Sequence, residues 1–152
     1  MATKIEDIKE AINTKLASVL TGYSRLPNPY GITESAMLRM TKAYAVATGL
    51  GVNTERFVDC HSTWERNFTI AIINKVTSTA NNIEGREEFE KALLVAHRDV
   101  LESFHTDPTM SAQVIKATIV NDGGINFLDG EAGKYLAIEI GLSVEYIERF
   151  ET

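Results

Sequence analysis

Cysteine is almost absent from this chain. Cys60 stands alone among 152 residues, which excludes an internal disulfide framework and suits a reducing compartment such as the cytoplasm. Long apolar runs are missing too. Nothing approaches the ~18 consecutive apolar residues of a membrane-spanning helix, so no membrane span is expected. The opening residues, Met1-Ala2-Thr3-Lys4-Ile5-Glu6-Asp7, turn acidic at once and offer no signal-peptide core. Positive charge is the minority sign, with 15 basic against 21 acidic residues and a net charge of −6. That balance disfavours nucleic-acid binding by phosphate neutralisation, which needs clustered Lys and Arg, but it does not exclude DNA passing nearby.

The familiar chemical motifs are also missing. Neither HExxH nor CxxC occurs, and the phosphate-binding patterns GxxxxGKS/T and GxGxxG are absent. His97 and His105 lie eight positions apart on one expected helix, about 80° off a shared face at ~100° per residue. No cysteine or carboxylate stands at a good ligand offset, so half-buried or solvent-facing histidines explain them better than a metal site. Cys60-His61 are neighbours in an expected strand and point to opposite faces, which excludes a nucleophile–base pair there. Gly49-Leu50-Gly51 follows a strand but no helix opens after it, so phosphate cradling is not expected. Asp122-Gly123-Gly124 and Asp129-Gly130 lack the alternating ladder of a calcium loop. They read as turn glycines, with Gly123 or Gly124 marking a β-bulge. Glu87-Glu88 read as a solvated first helical turn. No constellation supports catalysis, so neither an enzyme nor a metal or cofactor is expected.

What is present is a single domain's worth of sequence, 44% hydrophobic and large enough to bury a core without staples. Residues 3–21 read as an amphipathic helix, with Thr3 as N-cap, Glu6 and Asp7 in the first turn, and Ile5, Ile8, Ile12, Leu16 and Val19 as its apolar stripe. Gly22 ends it. A short strand is expected over 23–26, and Pro27-Asn28-Pro29-Tyr30-Gly31 cannot be regular structure, because two prolines fix φ and lack N–H donors. A short helix over 33–40 and a strand at 44–48 follow, the strand stopping at Gly49-Leu50-Gly51-Val52-Asn53-Thr54. A second strand spans about 59–77. Its middle is apolar on both faces through Ile70, Ile72, Ala71 and Ile73, as suits a central strand. Residues 78–84 read as a polar loop. The helix at 85–105 shows Phe89, Leu93, Ala96, Val100 and Phe104 at helical spacing and ends before Asp107-Pro108. A strand at 113–121 precedes two glycine turns, Asn121-Asp122-Gly123-Gly124 and Asp129-Gly130-Glu131-Ala132-Gly133. No repeat or linker breaks the chain, so one α+β domain is expected, with a mixed or antiparallel sheet of long strands flanked by two main helices.

The longest alternation runs over residues 134–148. Leu136, Ile138, Ile140, Leu142, Val144 and Tyr146 point one way; Ala137, Glu139, Gly141, Ser143 and Glu145 point the other. About 15 residues at ~3.3 Å reach roughly 50 Å, whereas strands usually run ~3–10 residues. A compact chain of this size is roughly 40 Å across. A strand that overshoots its own domain is expected to meet something outside it.

Read in order, several segments resemble one family. They are Gly22-Tyr23 with Arg25-Leu26-Pro27-Asn28-Pro29-Tyr30 after the first helix; Ala43 to Thr48 running into Gly51-Val52-Asn53-Thr54; and Arg66-Asn67-Phe68-Thr69-Ile70. The helix ending at Asp107-Pro108 follows, then Val120-Asn121-Asp122-Gly123-Gly124-Ile125, and finally Leu136 to Tyr146. The order, which spans nearly the whole chain, resembles tail terminator (tail completion) proteins of long-tailed bacteriophages. The resemblance implies a small mixed sheet flanked by helices and six copies in a ring. That ring would cap the tail tube, stop its polymerisation and join the head through a neck connector. The partners implied are therefore the chain itself, the tube protein and the head–tail connector. The place implied is the neck end of the virion tail, assembled in the host cytoplasm, with DNA passing the lumen during ejection. Six chains at −6 each carry −36 in all, a balance that lets DNA slide past.

On this reading Pro27, Asn28, Pro29 and Tyr30, and Val52, Asn53 and Thr54, are rigid docking loops, since prolines reduce the ordering cost of binding. Asp122, Gly123 and Gly124 belong to the assembly interface. Glu55, Asp59, Asp129 and Glu131 are candidate lumen acids, with plain solvated acids as the equal alternative. The 113–148 hairpin and the far end of 59–77 are expected to reach the next protomer or the tube. A head-completion or stopper protein of the neck shares this composition. A small-ligand module or enzyme has only the scattered His and Asp-Gly residues behind it.

Overall fold

The computed structural model describes residues 3–26, 41–56, 61–76, 83–130 and 133–149. The sequence-predicted docking loop Pro27, Asn28, Pro29 and Tyr30 and the helix expected at 33–40 lie outside them, as do Asp59, Cys60 and Glu131. In chain order the elements are α1 (Lys4–Val19), β1 (Ser24–Arg25), β2 (Lys42–Arg56), β3 (His61–Val76), α2 (Ile83–Thr106), β4 (Lys116–Gly130) and β5 (Gly133–Arg149). They form one compact α+β domain with a mixed sheet of order β1-β2-β3-β5-β4. β1 runs parallel to β2, and every other neighbouring pair is antiparallel.

Each helix begins and ends for a local reason. The Thr3 hydroxyl accepts the Glu6 amide at 3.2 Å while the Glu6 carboxylate accepts the Thr3 amide at 2.7 Å, the reciprocal capping box that satisfies two orphan donors. α1 closes on Leu20, and the chain then turns through Gly22 at φ +85°. Thr106 ends α2 immediately before Asp107-Pro108, because the residue before proline avoids helical angles.

The sheet's two faces differ. Tyr44 and Val46 of β2, Phe68, Ile70 and Ile72 of β3, and the even-numbered stripe of β5 from Leu136 to Tyr146 bury against both helices. α1 contributes Ile8, Ile12 and Leu16; α2 contributes Leu93, Ala96, Val100 and Phe104. These are the apolar stripes expected from sequence. On the opposite face a smaller cluster, Leu26, Ala43, Ala45, Ile73, Tyr135 and Ala137, is buried at one end. Elsewhere that face carries mostly small, polar and charged side chains, with Glu65, Glu139, Glu145, Lys116 and Arg149 exposed, beside Val52 and Ile147.

The four long strands have 15, 16, 15 and 17 residues. β5 at ~3.3 Å per residue spans about 55 Å, so the overlong strand expected from sequence is present and three others match it.

The connection from α2 to β4 is unusual. Met110, Ser111 and Ala112 stand consecutively at φ +47°, +57° and +66°, a left-handed conformation that costs roughly 1–2 kcal/mol per non-glycine residue. It is held in place by Met110, which is buried, and by Asp107, whose carboxylate accepts the Ser111 amide at 3.1 Å and the Lys15 ammonium at 3.1 Å. These two contacts, the Ser111 amide first, hold the Asp107 carboxyl below the usual carboxylate range. A depressed folded-state pKa stabilises above the unfolded value near ~4 and loses that contribution as pH falls through the folded value. Asp107→Asn should therefore be less stable than the parent at pH 6, and the difference should be smaller at pH 3, below the unfolded value. Urea melts at both pH values test this; an undiminished gap in acid would assign the loss to something other than charge.

Candidate assembly surfaces

Among the described residues both long edges of the sheet are open. Beyond its short contact with β1 at Ala43 and Tyr44, β2 has no second strand partner among the described residues, and β4 has none on its outer side. A free edge presents unpaired N–H and C=O groups to any strand that approaches. Most of the exposed large apolar side chains lie on or beside these edges. Leu50 (75% exposed) and Val52 are on β2, Val120 and Phe127 on β4, Ile115 just before β4, and Leu94 and Val95 on α2, the helix nearest β4.

The sequence places a loop at Gly49-Leu50-Gly51-Val52-Asn53-Thr54, and the structure corrects it. β2 continues to Arg56, with Val52 opposite Glu65, Asn53 opposite Trp64 and Glu55 opposite Thr63. A bulge between Thr48 and Gly51 absorbs the glycines. A Cβ at Gly49 would lie 2.7 Å from the Asn67 carbonyl oxygen, and one at Gly51 would strike the Arg66 guanidinium. Arg66 reaches across this bulge, donating to the Gly49 carbonyl at 3.0 Å and to the Tyr146 hydroxyl at 3.2 Å. The glycines thus allow a close crossing of chain and side chain, and Leu50 is left projecting between them.

β4 carries the bulge expected at Gly123 or Gly124, but the strand does not turn there. The expected strand at 113–121 runs on to Gly130, with register shifts between Ile119 and Asn121 and between Asp122 and Ile125. Asn121, Asp122, Gly123 and Gly124 are therefore part of an edge strand and do not form a chain reversal. Gly124 takes φ +71°, and its amide donates to the Asp122 carboxylate at 2.9 Å. The other Asp122 oxygen lies 3.5 Å from His97 Nε2, which is buried and makes no hydrogen bond among the described residues. This contact ties α2 to the bulge. Asp129 stands in β4 opposite Lys134, and Gly130 pairs with Gly133 where the hairpin reverses.

A groove of about 770 Å³ runs between the C-terminal half of α2 and the start of β4. Leu101, Phe104, Ala117 and Ile119 supply its apolar lining, while Arg98, His105 and Lys116 place three basic side chains against Glu102. Sequence reading missed this groove, since it is made by elements far apart in the chain.

The open face carries a second feature. Glu65 and Glu145 are direct cross-strand partners, Lys116 sits beside Glu145, and Glu139 is opposite Ala71. The Ser143 hydroxyl donates to Glu65 at 2.7 Å. Like charges directly opposite one another cost stability; Lys116 beside Glu145, with Lys75 and Arg149 on the same face, offsets the three acids, so the face is of mixed charge. The signal was available in the odd-numbered positions of the 134–148 alternation. Of the candidate lumen acids, Glu55 and Asp129 are strand residues, and Asp59 and Glu131 lie outside the described residues.

Among the described residues no group of three His, Cys, Asp or Glu side chains is placed to hold a metal ion, and no helix is long and apolar enough to cross a membrane. In comparisons with known proteins, no family model matches the chain and no curated protein is significantly similar to it.

Proposed function

We propose that this chain is a structural ring subunit of a bacteriophage tail, a tail terminator whose six copies cap the tail tube and present a surface to the head–tail connector. The observation that carries the reading is the sheet itself: four strands of 15 to 17 residues, with both long edges open among the described residues. Such edges are normally shortened, covered or charged in a monomer; here they carry exposed Leu50, Val52, Val120 and Phe127. The segment order from Gly22 to Tyr146, which resembles that of tail terminators, supports the family, and the open edges give the excess length a use.

Mixing the purified chain with tail tubes tests the proposal. Electron micrographs should show one added ring at a single end of each tube, and capped tubes should stop growing when tube protein is supplied. Tubes that stay bare and keep elongating at high concentrations of the chain would refute it. Loss of the chain from the phage separates the two neck roles. Tails of irregular length are the result expected here, whereas normal tails without heads would identify a stopper or connector.

A further inference from the structure

We infer that the two open edges are complementary halves of one head-to-tail interface, with Leu50 on β2 of one copy seated in the α2–β4 groove of the next. The β2 edge and the β4 edge lie at opposite ends of the described sheet. An interface made of two different surfaces propagates around a rotation axis and closes when the rotation does.

Strand direction supports this occupant. β2, β3, β5 and β4 alternate in direction, so β4 runs antiparallel to β2 within one chain. A rotation about an axis along the strands preserves direction in every copy. The β4 edge of one copy then meets the β2 edge of the next antiparallel, as every other long pair in the sheet does.

Register supports it as well. Thr48, Phe68, Leu142 and Ile119 form one row across the four strands, and Gly51, Arg66, Val144 and Ala117 form another. Leu50 bulges out between those rows, level with Asn67, Ser143 and Thr118. A rotation without rise therefore brings Leu50 to the height of Ala117, Thr118 and Ile119, which are the β4 residues lining the groove. Leu101 and Ile119 meet the leucine's apolar surface there.

In the described ends of β2 and β3 near the bulge, residues 52–56 and 61–66, Glu55 and Glu65 stand with Arg56 and Arg66. The groove offers Arg98, Lys116 and His105 against Glu102. Val52 of one copy continues the row that ends in Glu145 and Lys116 of its neighbour, so Lys116 comes to lie between Glu145 and Val52, with Glu65 one strand further.

This inference details the ring proposed above, and its test is separable from that of the tail. In the full chain with Cys60→Ser, Leu50→Cys and Arg98→Cys are combined and treated with a short flexible bismaleimide at concentrations where the parent assembles, alone or on tubes. The double variant should give a ladder of covalent multimers, while an equimolar mixture of the two single variants should stop at dimers. Leu50→Cys alone should give none. Leu50→Asp, at an exposed position, should melt like the parent and weaken assembly at least about tenfold, as for a buried apolar anchor. Dimers from Leu50→Cys alone, assembly without the 50–98 link, or a parent that stays monomeric under all these conditions would overturn the interface. A 50–98 ladder from chains that leave tubes bare would keep the interface and remove the tail role; capped tubes without the link would do the reverse.

Discussion

Phe104→Ala is expected to cost about 3–5 kcal/mol, the range for emptying a buried aromatic site. Phe104 is 2% exposed and joins both helices to the sheet in the main apolar cluster. Its ring also lies 5.3 Å from the Lys15 ammonium, a cation–π contact worth roughly 0.5–1 kcal/mol that alanine removes as well. Lys15 is itself tied to Asp107 at 3.1 Å, so the substitution loosens the point where α1, the end of α2 and the left-handed connection meet. Domains of this size are stable by only about 5–15 kcal/mol, and each kcal/mol moves the melting temperature by roughly 2–4 °C. A fall on the order of 10 °C or more should appear in a calorimetric melt. Val95→Ala is the matched control: Val95 is exposed on the same helix, and its removal should change stability by less than about 0.5 kcal/mol. A Phe104→Ala melt within roughly 3 °C of the parent would mean that the core tolerates the cavity by collapse.

The elements legible in the sequence were those whose signals are local. The stripe Ile8, Ile12 and Leu16, the Thr3 cap and the Asp107-Pro108 stop each belong to one segment, and each matches the fold. The alternation of β5 was equally plain, since period two needs no knowledge of the partner strand. Glycine marked the limit. Gly49-Leu50-Gly51 reads as a strand end and Asp122-Gly123-Gly124 as a turn with a bulge at Gly123 or Gly124; the bulge is there, and both strands continue through their glycines. A glycine lets the backbone either reverse or bulge, and the choice depends on whether a partner strand continues alongside. β3 continues beside β2, and β5 beside β4, over distances the local sequence does not report. Met110-Ser111-Ala112 failed in the other direction: three left-handed residues with no glycine among them, imposed by tertiary contacts at Met110 and Asp107. The acids Glu139 and Glu145 of the open face stand at odd positions of the alternation and are legible there. The groove was illegible, because it exists only once α2 packs beside β4.

Gly49→Ala isolates the bulge that presents Leu50. The new methyl carbon would fall 2.7 Å from the Asn67 carbonyl oxygen and 3.3 Å from its carbon. Those are backbone atoms of the neighbouring strand, so no side chain can swing aside to make room. β2 must move away from β3 or shift its register at the bulge, an overpacking cost of about 1–3 kcal/mol. Gly51→Ala makes a useful contrast, since its methyl meets only the Arg66 guanidinium, the far end of a flexible side chain. Arg66 can rotate away, giving up its bonds to Gly49 and Tyr146 for water, at a net cost of roughly 1 kcal/mol. Stability alone would then rank Gly49→Ala as the more damaging change. Assembly should respond to both, because Arg66 and the two glycines together fix where Leu50 projects, and a knob displaced along the edge no longer meets a groove at the height of Thr118. Denaturant melts and sedimentation on the same samples separate the two effects. Gly51→Ala chains that are nearly as stable as the parent but assemble poorly would locate the interface at the bulge. Chains of either variant that assemble as the parent does would show that Leu50's position does not matter, and with it that the β2 edge is not the knob of the ring.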